Sequence, residues 1–223
     1  MGAAGNSLMA VNAIGHGFSF VLAVAFRTGR PVEAASGAAV AVSGAVLVGS
    51  FHVHRLHLVR PLVVCSLLAA WGLRLSVHLS RRADDWRSKG VADGSPGPLL
   101  ALVAARVAWT AALLHPLVSA IRVQIDMGEL RDRYDGSFGE TAGTALALAG
   151  LLLEAWADHV LVAARRRNPG QLCCDGPWAR CRHPNYFGEL AFQAGVALVC
   201  APSCAHWYDA WTGFAFTALL ILA

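Results

Sequence analysis

"LLLEAWADHVLVAARRRNPG", residues 151–170, sets two demands against each other. It begins as an apolar helix, carries Glu154 and Asp158 inside that helix, and ends in Arg165, Arg166 and Arg167 before Asn168-Pro169-Gly170 breaks it. A spanning helix needs about 20 predominantly apolar residues, and the apolar segment near 141–163 meets that length. The two carboxylates, at i and i+4, fall on one helical face. Like charges so placed repel. They require either interhelical salt bridges or a polar cavity with a bound ligand.

Working outward, the rest of the chain looks built for the same solvent. Of its 223 residues, 56% are hydrophobic and 14% charged, where a soluble domain carries about 25% charged residues. The mean hydropathy is positive. Apolar segments lie near 8–26, 35–51, 58–79, 98–121, 141–163, 187–201 and 206–223. The second and sixth are short or weak, so six to seven spans are expected. The fold class is all-α: a polytopic integral membrane bundle forming a single domain over 1–223, with no repeat and no second soluble domain. The start, "MGAAGNSLMAVNAIGHGF", has no basic n-region or clear cleavage site, and Asn6 stands where a myristoylation motif wants Ser or Thr. The first apolar stretch is therefore expected to remain as a span.

Basic residues outside the spans set the orientation. The connections after segments one, three and five hold Arg27, Arg30, Arg81, Arg82, Arg87, Lys89, Arg165, Arg166, Arg167, Arg180 and Arg182. Those after segments two and four hold only Arg55, Arg60, Arg122, Arg131 and Arg133, and the one after segment six holds none. That asymmetry puts the 164–186 loop in the cytosol, facing inward from the endoplasmic reticulum membrane of a eukaryote or the inner membrane of a bacterium. The net charge of +4 then reads as topology. Without a basic patch interleaved with aromatics, no nucleic acid partner is expected.

Metal chemistry finds little support. The six cysteines (Cys65, Cys173, Cys174, Cys181, Cys200, Cys204) form no CxxC pair and read as reduced, packed thiols. In "FHVHRLH", His52, His54 and His57 do not share one helical face and have no carboxylate nearby, so a basic interfacial turn is the better reading. Segment two is rich in small residues, with Gly37, Ala41 and Ala45 every four positions, a spacing that lets helices approach closely in lipid. The 81–97 and 122–140 stretches read as solvated polar connections. Segment three, "LVRPLVVCSLLAAWGLRLSVHLSRR", holds Arg74 inside its apolar run. Such an arginine either faces a cavity or a partner, or snorkels the roughly 10 Å to the Arg81-Arg82 boundary.

The chemistry-bearing residues cluster in 154–189. After the arginines and the Gly/Pro loop comes "CRHPNYFGEL", residues 181–190, with Arg182, His183, Asn185, Tyr186 and Glu189. Arginines recognise phosphates by charge and geometry. A helix start at Pro184 with free N–H groups beyond it favours anions, and carboxylates suit ribose hydroxyls or an amide NH₂. Together these match a dinucleotide phosphate better than a lipid headgroup.

The stretch "RRRNPGQLCCDGPWARCRHPNYFGEL" resembles the C-terminal signature of the steroid 5-alpha-reductase superfamily, in particular the branch first catalogued as a domain of unknown function. The likeness covers about 150–195, differs from the nine-residue core only in Cys181 for Ser, and is echoed by "AAWGLRLSVHLSRR". It implies an enzyme, a membrane-embedded NADPH-dependent reductase that saturates a carbon–carbon double bond of a lipid or sterol-like substrate. Glu154, Asp158, Arg165, Arg167, Trp178, Arg182, His183, Asn185, Tyr186 and Glu189 would form the cofactor site. Asp158 and the arginines would take the adenosine and phosphate groups, Arg182, His183 and Tyr186 the phosphate and ribose region, and Asn185 and Glu189 the nicotinamide.

Two departures stand against the resemblance. Steroid reductases take their proton from an early tyrosine paired with a glutamate. Here Tyr134, Tyr186 and Tyr208 lie outside segments one to three, and the one early acid, Glu33, sits in a loop. The chain also closes on "FAFTALLILA" without the basic, tyrosine-containing tail of many relatives. The catalytic donor is therefore unassigned. Two alternatives remain. One is an S-adenosylmethionine-dependent membrane methyltransferase of the isoprenylcysteine or phospholipid type, which shares an Arg-His-Pro-x-Tyr-x-Gly core; the other is an inactive member that only binds lipid.

Overall fold

The computed structural model describes residues 59–81, 96–126 and 137–222, together with Val40 and Val42. Segments 8–26 and 35–51, Glu33, the histidines at 52, 54 and 57, Tyr134 and most of the two polar connections lie outside the described residues, save for those two valines. Five α-helices carry the described fold: α1 (Val59–Arg81), α2 (Pro96–Asp126), α3 (Phe138–Arg167), α4 (Pro184–Cys200) and α5 (Trp207–Leu222). Short 3-10 turns at Gly176–Ala179 and Ala201–Ser203 join the last three, and no strand occurs among the described residues.

Three of these helices hold a stretch long and apolar enough to cross a membrane: Val59–His78, Ala104–Ile121 and Phe138–Arg167. At 17 and 16 residues, α4 and α5 fall short of the usual spanning length. Of the six to seven spans expected, three helices qualify among the described residues, and the first two expected segments lie outside those residues apart from Val40 and Val42. Large apolar side chains such as Leu152, Phe187, Leu219 and Leu222 stand exposed on the described surface.

Cross-helix pairs fix the helix directions. Arg60 pairs with Glu140 and Arg74 with Glu154, so α1 and α3 run parallel, and both pairs are separated by 80 residues. The second pair lies 14 residues along each helix from the first, roughly 21 Å at helical rise. At the Arg60 end, Glu140 also closes a capping box: its backbone N–H donates to Ser137 Oγ, and its Oε2 accepts from the Ser137 N–H at 3.2 Å. Arg60 donates to Ser203 as well, which brings the C-terminal end of α4 to this side. Accordingly α4 runs against α1 and α3. On α2, Trp109 donates to Thr217 at 3.0 Å and Ser119 to Asp209 at 3.2 Å, setting α2 and α5 antiparallel.

The most extensive packing joins α3 to α4, where the absence of side chains sets the distance. A Cβ on Gly150 would lie 2.5 Å from the Phe192 backbone nitrogen, and one on Gly188 would lie 2.8 Å from the Gly150 carbonyl oxygen. Gly143 and Gly195 meet in the same way a few turns further on. Small residues at such spacing let two backbones touch in lipid, where dispersion contacts must replace the hydrophobic effect between helices.

Pro116, inside α2, has no N–H to give the Ala112 carbonyl. Thr212 Oγ1 supplies a donor to that carbonyl at 3.5 Å, so the break in the ladder becomes a contact with α5. At the centre, fully buried Trp71 stacks on Phe192 with centroids 5.9 Å apart and meets Trp109 edge-on at 5.6 Å. One α1 side chain thereby fixes α2 and α4 around it.

Candidate functional site

Where α1, α3 and α4 come together, the apolar core gives way to a buried charged cluster. Arg74 forms ion pairs with both Glu154 and Asp158, and His78 Nδ1 lies 3.3 Å from Asp158 Oδ2. These side chains are matched by periodicity. Trp71, Arg74 and His78 recur at i, i+3 and i+7 on α1, while Glu154 and Asp158 recur at i and i+4 on α3. Of the two explanations left open for the carboxylate pair, interhelical salt bridges are present, and the pair also lines a cavity. Arg74 has partners on α3.

Glu189, one turn into α4, joins the same cluster. Its Oε2 accepts the Trp71 indole N–H at 2.9 Å, and its Oε1 accepts the Gln193 amide at 3.0 Å. Its carboxylate is held in one orientation from two sides. Each oxygen keeps a further lone pair for a ligand.

A cavity of about 420 Å³ opens against this cluster, with all five helices contributing to its lining. One wall is polar, formed by Arg74, His78, Glu154, Asp158, Asn185 and Glu189; the other is largely apolar, with Trp109, Leu220 and Ile221. Three buried polar atoms here have no hydrogen-bond partner: Arg74 Nε, Glu154 Oε2 and Asn185 Oδ1. Buried polar groups are nearly always paired, and leaving one unmade costs about 1–3 kcal/mol. Three on residues lining one cavity are what a site shaped for a polar ligand leaves behind.

The loop between α3 and α4 builds a second cavity of about 910 Å³, lined by Arg165, Trp178, Arg180, Arg182 and His183, and sharing Asn185 and Tyr186 with the first. Gly170, at φ 85°, turns the chain after α3 in a conformation that favours glycine. Trp178 then fastens the returning loop by donating its indole N–H to the Ala157 carbonyl at 2.9 Å. His183 stacks on Tyr186 with centroids 5.0 Å apart, and no side chain caps the N-terminus of α4. The loop cavity is cationic and exposed, the helix cavity buried and mixed.

Trp178→Phe is expected to keep the ring in place but release the loop. The cost is about 1 kcal/mol, and hydrogen exchange over 171–183 should rise while that of α3 and α4 stays unchanged.

The sequence-expected residues divide between the two cavities. Glu154, Asp158 and Glu189 line the helix cavity, Arg165, Trp178, Arg182 and His183 the loop cavity, and Asn185 and Tyr186 both. Arg167 is exposed and lines neither. Asp158 sits with Glu154 beside Arg74, in the same cavity as Glu189. Trp71, His78, Arg106, Gln193 and Arg180 also contribute, though the sequence did not single them out as site residues. The first two share a face with Arg74, and Gln193 lies one turn beyond Glu189, so helical spacing from the recognised residues would have found them.

A family model described as a protein of unknown function, DUF1295, matches residues 19–223. No curated protein and no solved structure matches the chain.

Proposed function

The chain belongs to the DUF1295 family, and from that premise and the paired cavities we propose a multi-pass membrane reductase that uses NADPH to saturate a carbon–carbon double bond of a lipid or sterol-like substrate. The observation that carries this reading is the set of orphaned buried atoms beside an arginine-lined mouth. Glu154 Oε2 and Asn185 Oδ1 are acceptors without donors, which suits a carboxamide NH₂ or ribose hydroxyls. Arg165, Arg180 and Arg182 suit the phosphates. Two cavities that share Asn185 and Tyr186 in their linings suit one elongated ligand with a charged end and a less charged end. The residues fit the cofactor, and the likeness of 150–195 to the steroid 5-alpha-reductase signature supports the same group.

When bound, the cofactor supplies the hydride, and the protein contributes binding, orientation and exclusion of water. Glu189, braced by Trp71 and Gln193, and Asn185, in the lining of both cavities, orient the ring end. Arg74 holds Glu154 and Asp158 side by side through its two ion pairs. The apolar wall of Trp109, Leu220 and Ile221 keeps water from that end and offers a surface to an apolar substrate. The excess of basic residues in the connections on the loop's side supports a cytosolic mouth.

Ligand-dependent melting tests the reading. NADPH should raise the melting temperature of the detergent-solubilised protein, and S-adenosylmethionine should not; the reverse result would make the protein a methyltransferase. Asn185→Ala and Glu189→Gln should each weaken NADPH binding about 10–100-fold, one or two charge-assisted hydrogen bonds' worth, without lowering the melting temperature of the unliganded protein by more than a few degrees. Unchanged affinity in both variants would remove these residues from the site.

A further inference from the structure

The Arg74–Glu154–Asp158 cluster has two sides. On the side away from the helix cavity, among the described residues, lies another cavity of about 420 Å³, between α1 and α3. Its polar floor is Arg74, His78, Asp158 and His159, and its walls include Leu73, Val77 and Val162. Arg74, His78 and Asp158 line both cavities. The ion-pair cluster is thus a septum, one residue layer thick, between the proposed ring end of the cofactor site and a separate pocket.

That pocket differs from the cofactor cavities in chemistry. Leu73 is 62% and Val77 40% exposed, on a helix apolar enough to cross a membrane. The walls are therefore continuous with a lipid-facing surface. By helical rise, the floor residues lie roughly 5–10 Å below the arginines that end α1 and α3, a depth at which the polar end of a membrane amphiphile rests. The floor also disfavours a strong anion. Its arginine is already paired with two carboxylates, and His78 is held against one of them, so a phosphate would have to compete with carboxylates already in place. A hydroxyl or carbonyl would find both donors and acceptors.

We propose that the α1–α3 cavity binds a neutral amphiphile with one hydroxyl or carbonyl at its polar end, that end on the His78–Asp158–His159 floor and its apolar body along Leu73, Val77 and Val162. The ion-pair layer between the two cavities bars direct hydride transfer. The pocket is therefore a second lipid site and not the acceptor site of the proposed reductase, and its occupancy does not rest on that function. The septum residues would then sense both ligands, with the amphiphile reaching the floor from the bilayer and the cofactor from the loop.

The test uses the full chain in phosphatidylcholine vesicles, without cofactor, and a diazirine-bearing sterol with a free 3-hydroxyl, alongside a diazirine-bearing phosphatidic acid. The sterol should label Leu73, Val77, Ala155 and Val162 in preference to other lipid-facing positions, and excess unlabelled sterol should compete. Phosphatidic acid should not show this preference. Val77→Trp, which fills the pocket from its exposed rim, should lower the labelling about tenfold and leave NADPH-dependent melting unchanged. Uniform labelling of every lipid-facing position, equal labelling by both probes, or labelling indifferent to Val77→Trp would each overturn the assignment. NADPH-dependent melting on the same preparation separates the two ideas. If it is absent while the sterol labels as expected, the reductase reading falls and the amphiphile site stands.

Discussion

Arg74→Leu should be the most destabilising single change in the described bundle. The substitution takes the arginine away from both Glu154 and Asp158 and leaves His78 beside the latter, and removing one member of a buried ion pair costs about 3–5 kcal/mol. Both carboxylates are less than a tenth exposed in their side chains, so water cannot make up the loss. The expected result is a large drop in thermal stability in detergent together with loss of NADPH protection. A triple variant, Arg74→Leu with Glu154→Gln and Asp158→Asn, should recover most of the stability but none of the ligand binding. That contrast separates a charge left uncompensated from a side chain needed for packing. If Arg74→Leu melted within a degree or two of the parent, the septum would have no structural role.

A second large effect is expected at Gly195, for a different reason. Any Cβ there would run into the backbone of Ala147 and Gly143 on α3, and backbone cannot rotate out of the way as a side chain can. Gly195→Leu should push α3 and α4 apart and cost about 3 kcal/mol or more, the upper part of the range for overpacking. Because Glu154 and Glu189 sit on these two helices, the site should open with them. Gly139→Ala is the control: its added methyl meets nothing within 4 Å, and a helix position with room for Cβ gains slightly from losing glycine's freedom. Equal stability of the Gly195→Leu variant and its parent would mean that the helices do not meet at this point.

The two variants mark what the sequence could and could not tell. Helix identity was legible because apolar length and composition are local: segments near 58–79, 98–121 and 141–163 became α1, α2 and α3 with ends a few residues away. The grouping of Glu154 with Asp158 was legible because helical spacing fixes faces, whereas that of Asn185 with Glu189 came from the family resemblance. The partner of Arg74 was not, since nothing local distinguishes an arginine that snorkels from one that meets a helix 80 residues later. Close packing by small residues was expected of segment two, which lies outside the described residues. Among the described residues it is seen between α3 and α4, where Gly143 and Gly150, like Gly188 and Gly195, stand two turns apart on one face of each helix, a spacing that acquires its meaning only once the two helices are paired. The α1–α3 cavity was not legible for a related reason: its walls are ordinary leucines and valines.

The equal offset of the two arginine–glutamate pairs has a consequence for how the molecule is made. A ribosome adding about 5–20 residues per second reaches Glu154 roughly 4–16 s after Arg74. For that interval α1 is a membrane segment carrying a cation whose burial alone costs about 2.5–3.5 kcal/mol, and the arginine is best kept toward the interface by its long stem. The arrival of α3 supplies both carboxylates and, through Glu140, the partner for Arg60. Settling of the first described helix to its final depth is therefore completed by the third, and slowing synthesis between them should lengthen the life of a half-inserted chain.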